Sequence, residues 1–198
     1  DLHTRNNGLF ILPPFLTREN VGTYGGILDA LRSNMGYLRR SKQEYVILTG
    51  GKSVFNTRFD ELFQQHLDSG ADITLMYVKA KPEPLEVSPV VPSYTNQYTD
   101  VMVLKKSLLI HLVDQAYAHS MHDLNRDLLQ QYIRNGVLRV NGYEYKGYYR
   151  QIESVLSYFR FNMDLLDYNI RRELFMSNPV YTKVRDEVPA IYEEGAQA

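Results

Sequence analysis

Tyr45-Val46-Ile47-Leu48-Thr49-Gly50-Gly51 is the stretch that decides the fold. Its first four residues form an uninterrupted apolar run rich in β-formers, the pattern of a central parallel strand covered on both faces, and a glycine pair closes it. Before it, Ile27, Leu28, Leu31, Met35 and Leu38 recur at helical spacing, and Arg39-Arg40 suits the negative end of that helix. After it, Phe59, Leu62, Phe63, His66 and Leu67 mark a second helix closed by Asp68-Ser69-Gly70. Another apolar run, Ile73 to Val78, follows. Strand and helix alternate with short connections, so βαβ crossovers and a mostly parallel sheet are expected.

Leu9-Phe10-Ile11-Leu12, closed by Pro13-Pro14, reads as a further buried strand. Residues 81–98 break the rhythm: Pro82, Pro84, Pro89 and Pro92 mark a loop or surface extension. Asp100 to Leu104 is the next strand. A helix follows with Leu108, Leu109, Leu112, Val113 and Ala116 facing the core, then another with Leu124, Leu128, Leu129 and Ile133 before Asn135-Gly136. Val137 to Tyr143 reads as strand. Val155, Leu156, Phe159, Met163 and Leu166 outline an amphipathic helix, and Asn178 to Val184 is a Pro-containing β-like segment. There is no internal repeat.

With 198 residues, 44% of them hydrophobic, the chain has apolar mass for one full-sized core. Its 22 Lys and Arg against 23 Asp and Glu give a net charge of −1, which provides no basic footprint for nucleic acid. The absence of cysteine removes disulfides, thiolate nucleophiles and sulfur-ligated zinc, and fits a cytoplasmic protein. No membrane-length apolar run occurs. The chain opens at Asp1 without a Met and with a polar segment unlike a signal peptide, so it reads as a fragment with sequence upstream.

Few motifs carry chemistry on their own. Gly50-Gly51-Lys52-Ser53 resembles a phosphate loop only superficially, because Val46 stands where the loop's first glycine belongs. Gly22 to Gly26 reads either as backbone N–H groups offered to an anion, with Tyr24 stacking on a ring, or as a plain turn. His122-Asp123 reads as a helix cap rather than a metal ligand, and His66 as a satisfied packing residue. Tyr143, Tyr145, Tyr148, Tyr149, Arg150 and Gln151 suit either sugar stacking or interface packing.

Taken together, Ser41 to Gly50, His122 to Leu128, Gly142 to Tyr148, Ile152 to Ser154, Asn162 to Leu166 and Pro179 to Lys183 resemble bacterial glucose-1-phosphate adenylyltransferase, within it the non-catalytic companion subunit of glycogen synthesis. The resemblance implies a nucleotide-diphospho-sugar transferase fold: α/β, Rossmann-like, with a mostly parallel sheet and helices on both faces. Residues 1–176 would form that domain, and 177–198 would lead into a C-terminal left-handed β-helix. In catalytic members an aspartate follows the strand ending at Gly50 and another follows Tyr149-Arg150, and both bind magnesium. Here those positions hold Gly51 and Gln151. Mg²⁺ on carboxylates neutralises phosphate charge during nucleotidyl transfer; glycine has no ligand and an amide is a poor one. The family's Gly-rich nucleotide loop is expected upstream. Its Glu-Lys-Pro motif has no counterpart in residues 80–100, where Leu85-Glu86-Val87-Ser88-Pro89 stands without the lysine.

The resemblance therefore implies a catalytically degraded regulatory subunit without cofactor, catalytic residue or metal ligand. It would pair in an oligomer with a catalytic adenylyltransferase subunit. A remnant substrate-binding set comprises Tyr24, Gly26, Gly51, Tyr149, Arg150 and Gln151, which would meet ATP, ADP-glucose or a sugar phosphate. Two alternatives stand beside it: an active nucleotidyltransferase that recruits Mg²⁺ through other carboxylates such as Asp60 or Glu153, and a pure assembly module.

Overall fold

A computed structural model describes residues 3–4, 7–14, 23–80, 95–119, 121, 124 and 130–178. In chain order, the elements are β1 (His3–Thr4), β2 (Asn7–Gly8), α1 (Ile27–Ser33), α2 (Met35–Arg40), β3 (Tyr45–Thr49), β4 (Ser53–Val54), α3 (Asp60–Ser69), β5 (Ile73–Ala80) and β6 (Thr95–Lys105). Then come α4 (Lys106–Ala118), α5 (Gln130–Arg134), β7 (Val140–Glu144), β8 (Arg150–Gln151), α6 (Val155–Asp164), α7 (Tyr168–Arg172) and a single π-helical turn, Glu173–Ser177. The fold is mixed α/β, with a four-stranded sheet in the order β3-β6-β5-β7 and two-stranded ladders β1-β2 and β4-β8.

The sheet is only partly parallel. Lys106 N–H bonds Glu44 O while Gly50 N–H bonds Asp100 O, so β6 runs antiparallel to β3. Ile73 N–H bonds Arg139 O and Tyr145 N–H bonds Tyr77 O, so β7 runs parallel to β5. Tyr45 to Leu48 is thus not a central parallel strand: among the described residues β3 ends the order and is half-buried. The central apolar run is Val101 to Leu104 of β6, which is buried throughout. An apolar run alone cannot tell an edge strand from a central one, because helices can cover the faces of either.

The chain divides into two compact units. The first comprises Asp1–Ile47, Gly70–Ile73 and Val103–Asn141. There α1 and α2 pack against α4, and Leu28, Met35, Leu109, Leu112, Val113 and Ala116 are buried. One helix was expected over 27–38; two are found, broken at Asn34 (φ −108°, ψ 15°), whose side-chain N–H₂ bonds Ala30 O and Tyr24 Oη. An asparagine amide competes with the helix's own backbone bonds, which is the physical reason for the break. Leu9 to Leu12 is also not a strand: the segment is irregular, and Ile11 is 84% exposed. Two prolines end the run, and among the described residues no ladder partner meets it.

The second unit comprises Leu48–Ser69, Thr74–Met102 and Gly142–Ala198. Its core holds Leu62, Met76, Val78, Val101, Met102, Tyr145 and Leu174. His66 is buried with Nδ1 2.8 Å from Thr74 Oγ1, the packed histidine that the sequence predicts. Gly70, with φ +59°, ends α3 in the left-handed conformation. Ser154 caps α6: its Oγ accepts from Ser157 N–H, and Ser157 Oγ accepts from Ser154 N–H.

The amphipathicity of α6 is turned around. Asp164 and Phe161 point inward, to Arg150, Tyr148 and the Tyr148 ring. The apolar stripe faces out, with Val155 85% and Phe159 58% exposed. Strand β6 begins at Thr95, five residues before the predicted start, and β7 begins at Val140 rather than Val137. The predicted helix over 124–133 is described only as Gln130–Arg134, although Leu124 is buried. Expectations for residues 81–94, His122-Asp123 and everything beyond Asn178 lie outside the described residues.

Candidate functional site

The turn at Gly51-Lys52 leads directly into β4, and no helix starts there, so the dipole that a phosphate loop requires is missing. Instead β4 pairs with β8 in antiparallel register, Ser53 opposite Gln151 and Val54 opposite Arg150, and Ile152 N–H bonds Lys52 O at 2.8 Å. This ladder brings the Gly51 turn beside Gln151. Next to both lies Asp100, a non-glycine residue of β6 with φ +60°. Gly50 N–H donates to Asp100 O at 3.0 Å, and Gln151 Nε2 donates to Asp100 Oδ2 at 3.4 Å. The other side of the Gln151 amide is also engaged: its Oε1 accepts from Gln97 Nε2 at 3.1 Å.

Hydroxyls surround this amide relay. Ser53 Oγ donates to Thr99 O at 3.3 Å and lies 3.1 Å from Tyr149 Oη, whose ring is tilted against Phe55. Burial pushes the Tyr149 hydroxyl above its ordinary range. Tyr98 Oη is buried with no hydrogen-bond partner among the described residues; burial, then the Asp100 charge, hold it firmly protonated. The result is a hydrogen-bonding surface of amides and neutral hydroxyls with one carboxylate.

Arg150 lies in the adjoining position of β8 but turns to α6. Its Nε and Nη2 reach Asp164 Oδ2 at 3.1 and 2.6 Å, and Tyr148 Oη donates to the same oxygen at 2.7 Å. The Asp164 bond raises the Arg150 pKa further, and burial plus the Asp164 bond push the Tyr148 hydroxyl up to about 12. The guanidinium is thus committed to a structural carboxylate. Tyr145, also from the Tyr-rich segment, is buried against Phe55 and donates to Asn56 O at 3.0 Å.

Tyr24 and Gly26 belong to the first unit. Tyr24 Oη donates to Leu12 O and accepts from Asn34 Nδ2, both at 2.9 Å. Gly26 stands in extended backbone just before α1, and Gly25 N–H is taken by Asp29 Oδ2 at 3.0 Å. A carboxylate of the chain itself therefore holds an N–H that was one of the two readings for an incoming anion. Beside them is a cavity of about 310 Å³, where the Arg32 guanidinium stacks 3.7 Å above the Tyr117 ring.

The residues do not fit a carboxylate-held Mg²⁺. Gly51 supplies no side-chain ligand, the Gln151 oxygen is bonded to Gln97, and Asp100 is the one carboxylate in the relay. Among the described residues no group of three or more His, Asp or Glu side chains could hold a metal. Asp60 is exposed and paired with Arg58, whereas Glu153, at the exposed lead into α6, is close enough for its charge to help raise the Tyr149 hydroxyl, with no hydrogen bond to Asp100 or Gln151 among the described residues.

Against known proteins, the chain is 25% identical over 211 residues to a glucose-1-phosphate adenylyltransferase of Halalkalibacterium halodurans, covering 96% of this chain and 54% of that protein. It is 26% identical over 194 residues to the glucose-1-phosphate adenylyltransferase of Geobacillus stearothermophilus, covering 88% and 50%. To the glycogen biosynthesis protein GlgD of Bacillus subtilis it is 27% identical over 198 residues, covering 97% and 50%. The chain is a distant homologue of these bacterial proteins. It spans about half the length of the curated relatives it matches. No protein-family model matches it. Among the described residues no helix is long and apolar enough to cross a membrane.

Three residues central to this geometry escape the sequence reading: Gln97, Asp100 and Asp164. The first two lie at the border between the Pro-rich segment and an apolar run, where periodicity marks the strand only from its apolar part. Asp164 carries a signal, the lone acid of an amphipathic helix, on the side opposite its apolar stripe.

Proposed function

We propose that this chain is the catalytically degraded, regulatory subunit of a glucose-1-phosphate adenylyltransferase, acting in the cytoplasm in ADP-glucose and glycogen synthesis. The supporting observation is the closed relay Gln97–Gln151–Asp100 beside Gly51. Where the resemblance calls for two magnesium-binding acids, the chain offers a glycine and an amide whose oxygen is already bonded. The similarity to the glycogen biosynthesis protein GlgD and to adenylyltransferases supports the glycogen-synthesis part of this reading. The chain would pair with a catalytic subunit and shift that subunit's equilibrium between states of different turnover. Gly51, Tyr149, Arg150 and Gln151 in the second unit, and Tyr24 and Gly26 in the first, remain proposed substrate-binding remnants, with Tyr149 and Gln151 free of net charge and suited to sugar hydroxyls.

The test is pyrophosphate release from ATP and glucose 1-phosphate by a catalytic adenylyltransferase subunit, with and without this chain, across effector concentrations. A changed effector response, with no turnover by this chain alone, supports the reading; unchanged kinetics defeats it. Asp100 supports the second reading, an active nucleotidyltransferase, because it places one carboxylate at the substituted position. Mg²⁺-dependent ADP-glucose formation by the chain alone would establish that reading instead.

A further inference from the structure

In the second unit, a groove of about 590 Å³ opens between α3 and the segment Gly142 to Gly147. Its walls carry Thr57, Glu61, Gln65, Tyr77, Tyr143 and Glu144. Its size lies within the range of small-molecule sites. It is separate from the Gln151 relay, and none of the remnant substrate residues lines it.

The wall chemistry is specific. Glu61 and Gln65 stand four residues apart on α3, so both present planar polar groups to one side of the helix. Each is anchored by one atom: Tyr143 Oη donates to Glu61 Oε2 at 3.1 Å, and Gln65 Nε2 donates to Gly142 O at 3.0 Å. This leaves Glu61 Oε1 and Gln65 Oε1 as oriented acceptors, with no hydrogen bond to either among the described residues. Burial, then the Glu61 bond, keep the Tyr143 hydroxyl protonated, so it stays a donor. Gly142 lets the Tyr77 ring lie close on β7, where an added Cβ would stand 3.0 Å from Tyr77 Cε1. Charge is nearly balanced, since Glu144 is paired with Lys79 at 2.8 Å and Lys146 stands in the wall with Glu61.

These features discriminate between ligand classes. A phosphate would meet the Glu61 carboxylate without a cluster of cations to offset it. An added peptide strand would find the Gly142 carbonyl already bonded by Gln65. A greasy ligand would leave the anchored carboxylate and amide without partners. Hydroxyl groups around the edge of an uncharged sugar ring, with its C–H face between them, suit fixed acceptors beside tyrosine faces. We propose that this groove binds a neutral oligosaccharide, with Glu61 and Gln65 accepting its hydroxyls and Tyr77 and Tyr143 packing on its rings. The inference rests on the groove alone and does not require the regulatory reading.

The test is calorimetric and NMR titration of the full chain with maltotriose, cellotriose and glucose 1-phosphate. Saturable binding of either neutral trisaccharide, weaker or absent for the sugar phosphate, is expected. Glu61→Ala and Gln65→Ala alter an exposed helix face, and each should weaken binding about tenfold or more while the far-UV spectrum is kept. Tyr143→Phe retains the ring and releases Glu61, giving a smaller loss. Absence of saturable binding of both trisaccharides to the folded chain would overturn the proposal. So would tighter binding of the sugar phosphate, or affinity retained in the folded Glu61→Ala, Gln65→Ala double variant.

Discussion

A methyl group on Gly50 would stand 2.8 Å from the Cβ of Asp100, closer than two such carbons can approach. Asp100 in turn sits at φ +60°, where a side chain strains the backbone. The two positions are therefore coupled sterically. Gly50→Ala should cost about 1–3 kcal/mol by overpacking. Asp100→Gly alone should change stability by no more than about 1 kcal/mol, as relief of left-handed strain is set against a more flexible unfolded chain and the lost Gln151 Nε2 bond. In the double variant much of the Gly50→Ala cost should vanish. Urea unfolding of the four proteins measures the coupling, and strict additivity would show that the clash is not felt.

Restoring acids provides a second prediction. The chain as it stands should show no saturable Mn²⁺ or Mg²⁺ binding, because one carboxylate and a bonded amide are a poor hard-cation site. Gly51→Asp combined with Gln151→Asp would set two new carboxylates near Asp100 and should create measurable Mn²⁺ affinity by calorimetry. Tight binding by the unaltered chain would refute the account of the degraded site.

Asp164 bears three donors on one oxygen, so Asp164→Asn should destabilise the second unit by about 1–3 kcal/mol. Neutralising the carboxylate also removes the Asp164 charge that helps raise Tyr148, leaving burial to raise it and Arg150 to lower it. Its hydroxyl should then titrate lower than in the parent.

Alkaline pH should unfold the protein through its tyrosines. Tyr98, Tyr143, Tyr145, Tyr148 and Tyr149 all have raised pKa values in the fold, with burial the leading cause. A group protonated more tightly in the folded state stabilises it fully below the unfolded pKa and loses that contribution as pH rises through the folded one. For Tyr148 the window runs from 10.0 to about 12. Absorbance at the tyrosinate band should show a late-titrating class whose ionisation coincides with loss of structure. Independent early titration of all tyrosines would contradict the burial assigned here.

The cap of α6 provides a local test. Ser154→Ala removes the acceptor of the Ser157 N–H while the bond from the residue-154 N–H to Ser157 Oγ persists, and it should cost about 0.5–2 kcal/mol, read by thermal unfolding.

What the sequence made legible was what local pattern encodes. The αβ alternation, α3 with its Gly70 ending, α4 and the buried His66 all follow from spacing and turn chemistry. Strand direction was not legible, because β6 carries the same apolar signature whether it runs with or against β3. Leu9 to Leu12 misled for the complementary reason: a run can be apolar enough for a core and still lie exposed when no element meets it. At the candidate site positions 51 and 151 are named only through the family resemblance. The relay that closes on Gln151 was not legible, since Gln97 and Asp100 lie 54 and 51 residues away and only register brings them in.

Because α6 stands on Asp164 and Phe161 while its oily stripe carries none of that footing, the two flanks of the helix can drift independently. Mutation can rewrite Val155, Leu156 and Phe159 without shaking the platform beneath, whereas one change at Asp164 loosens β8 and the helix together. What this surface meets is thus open to rapid evolutionary revision on a foundation that is not.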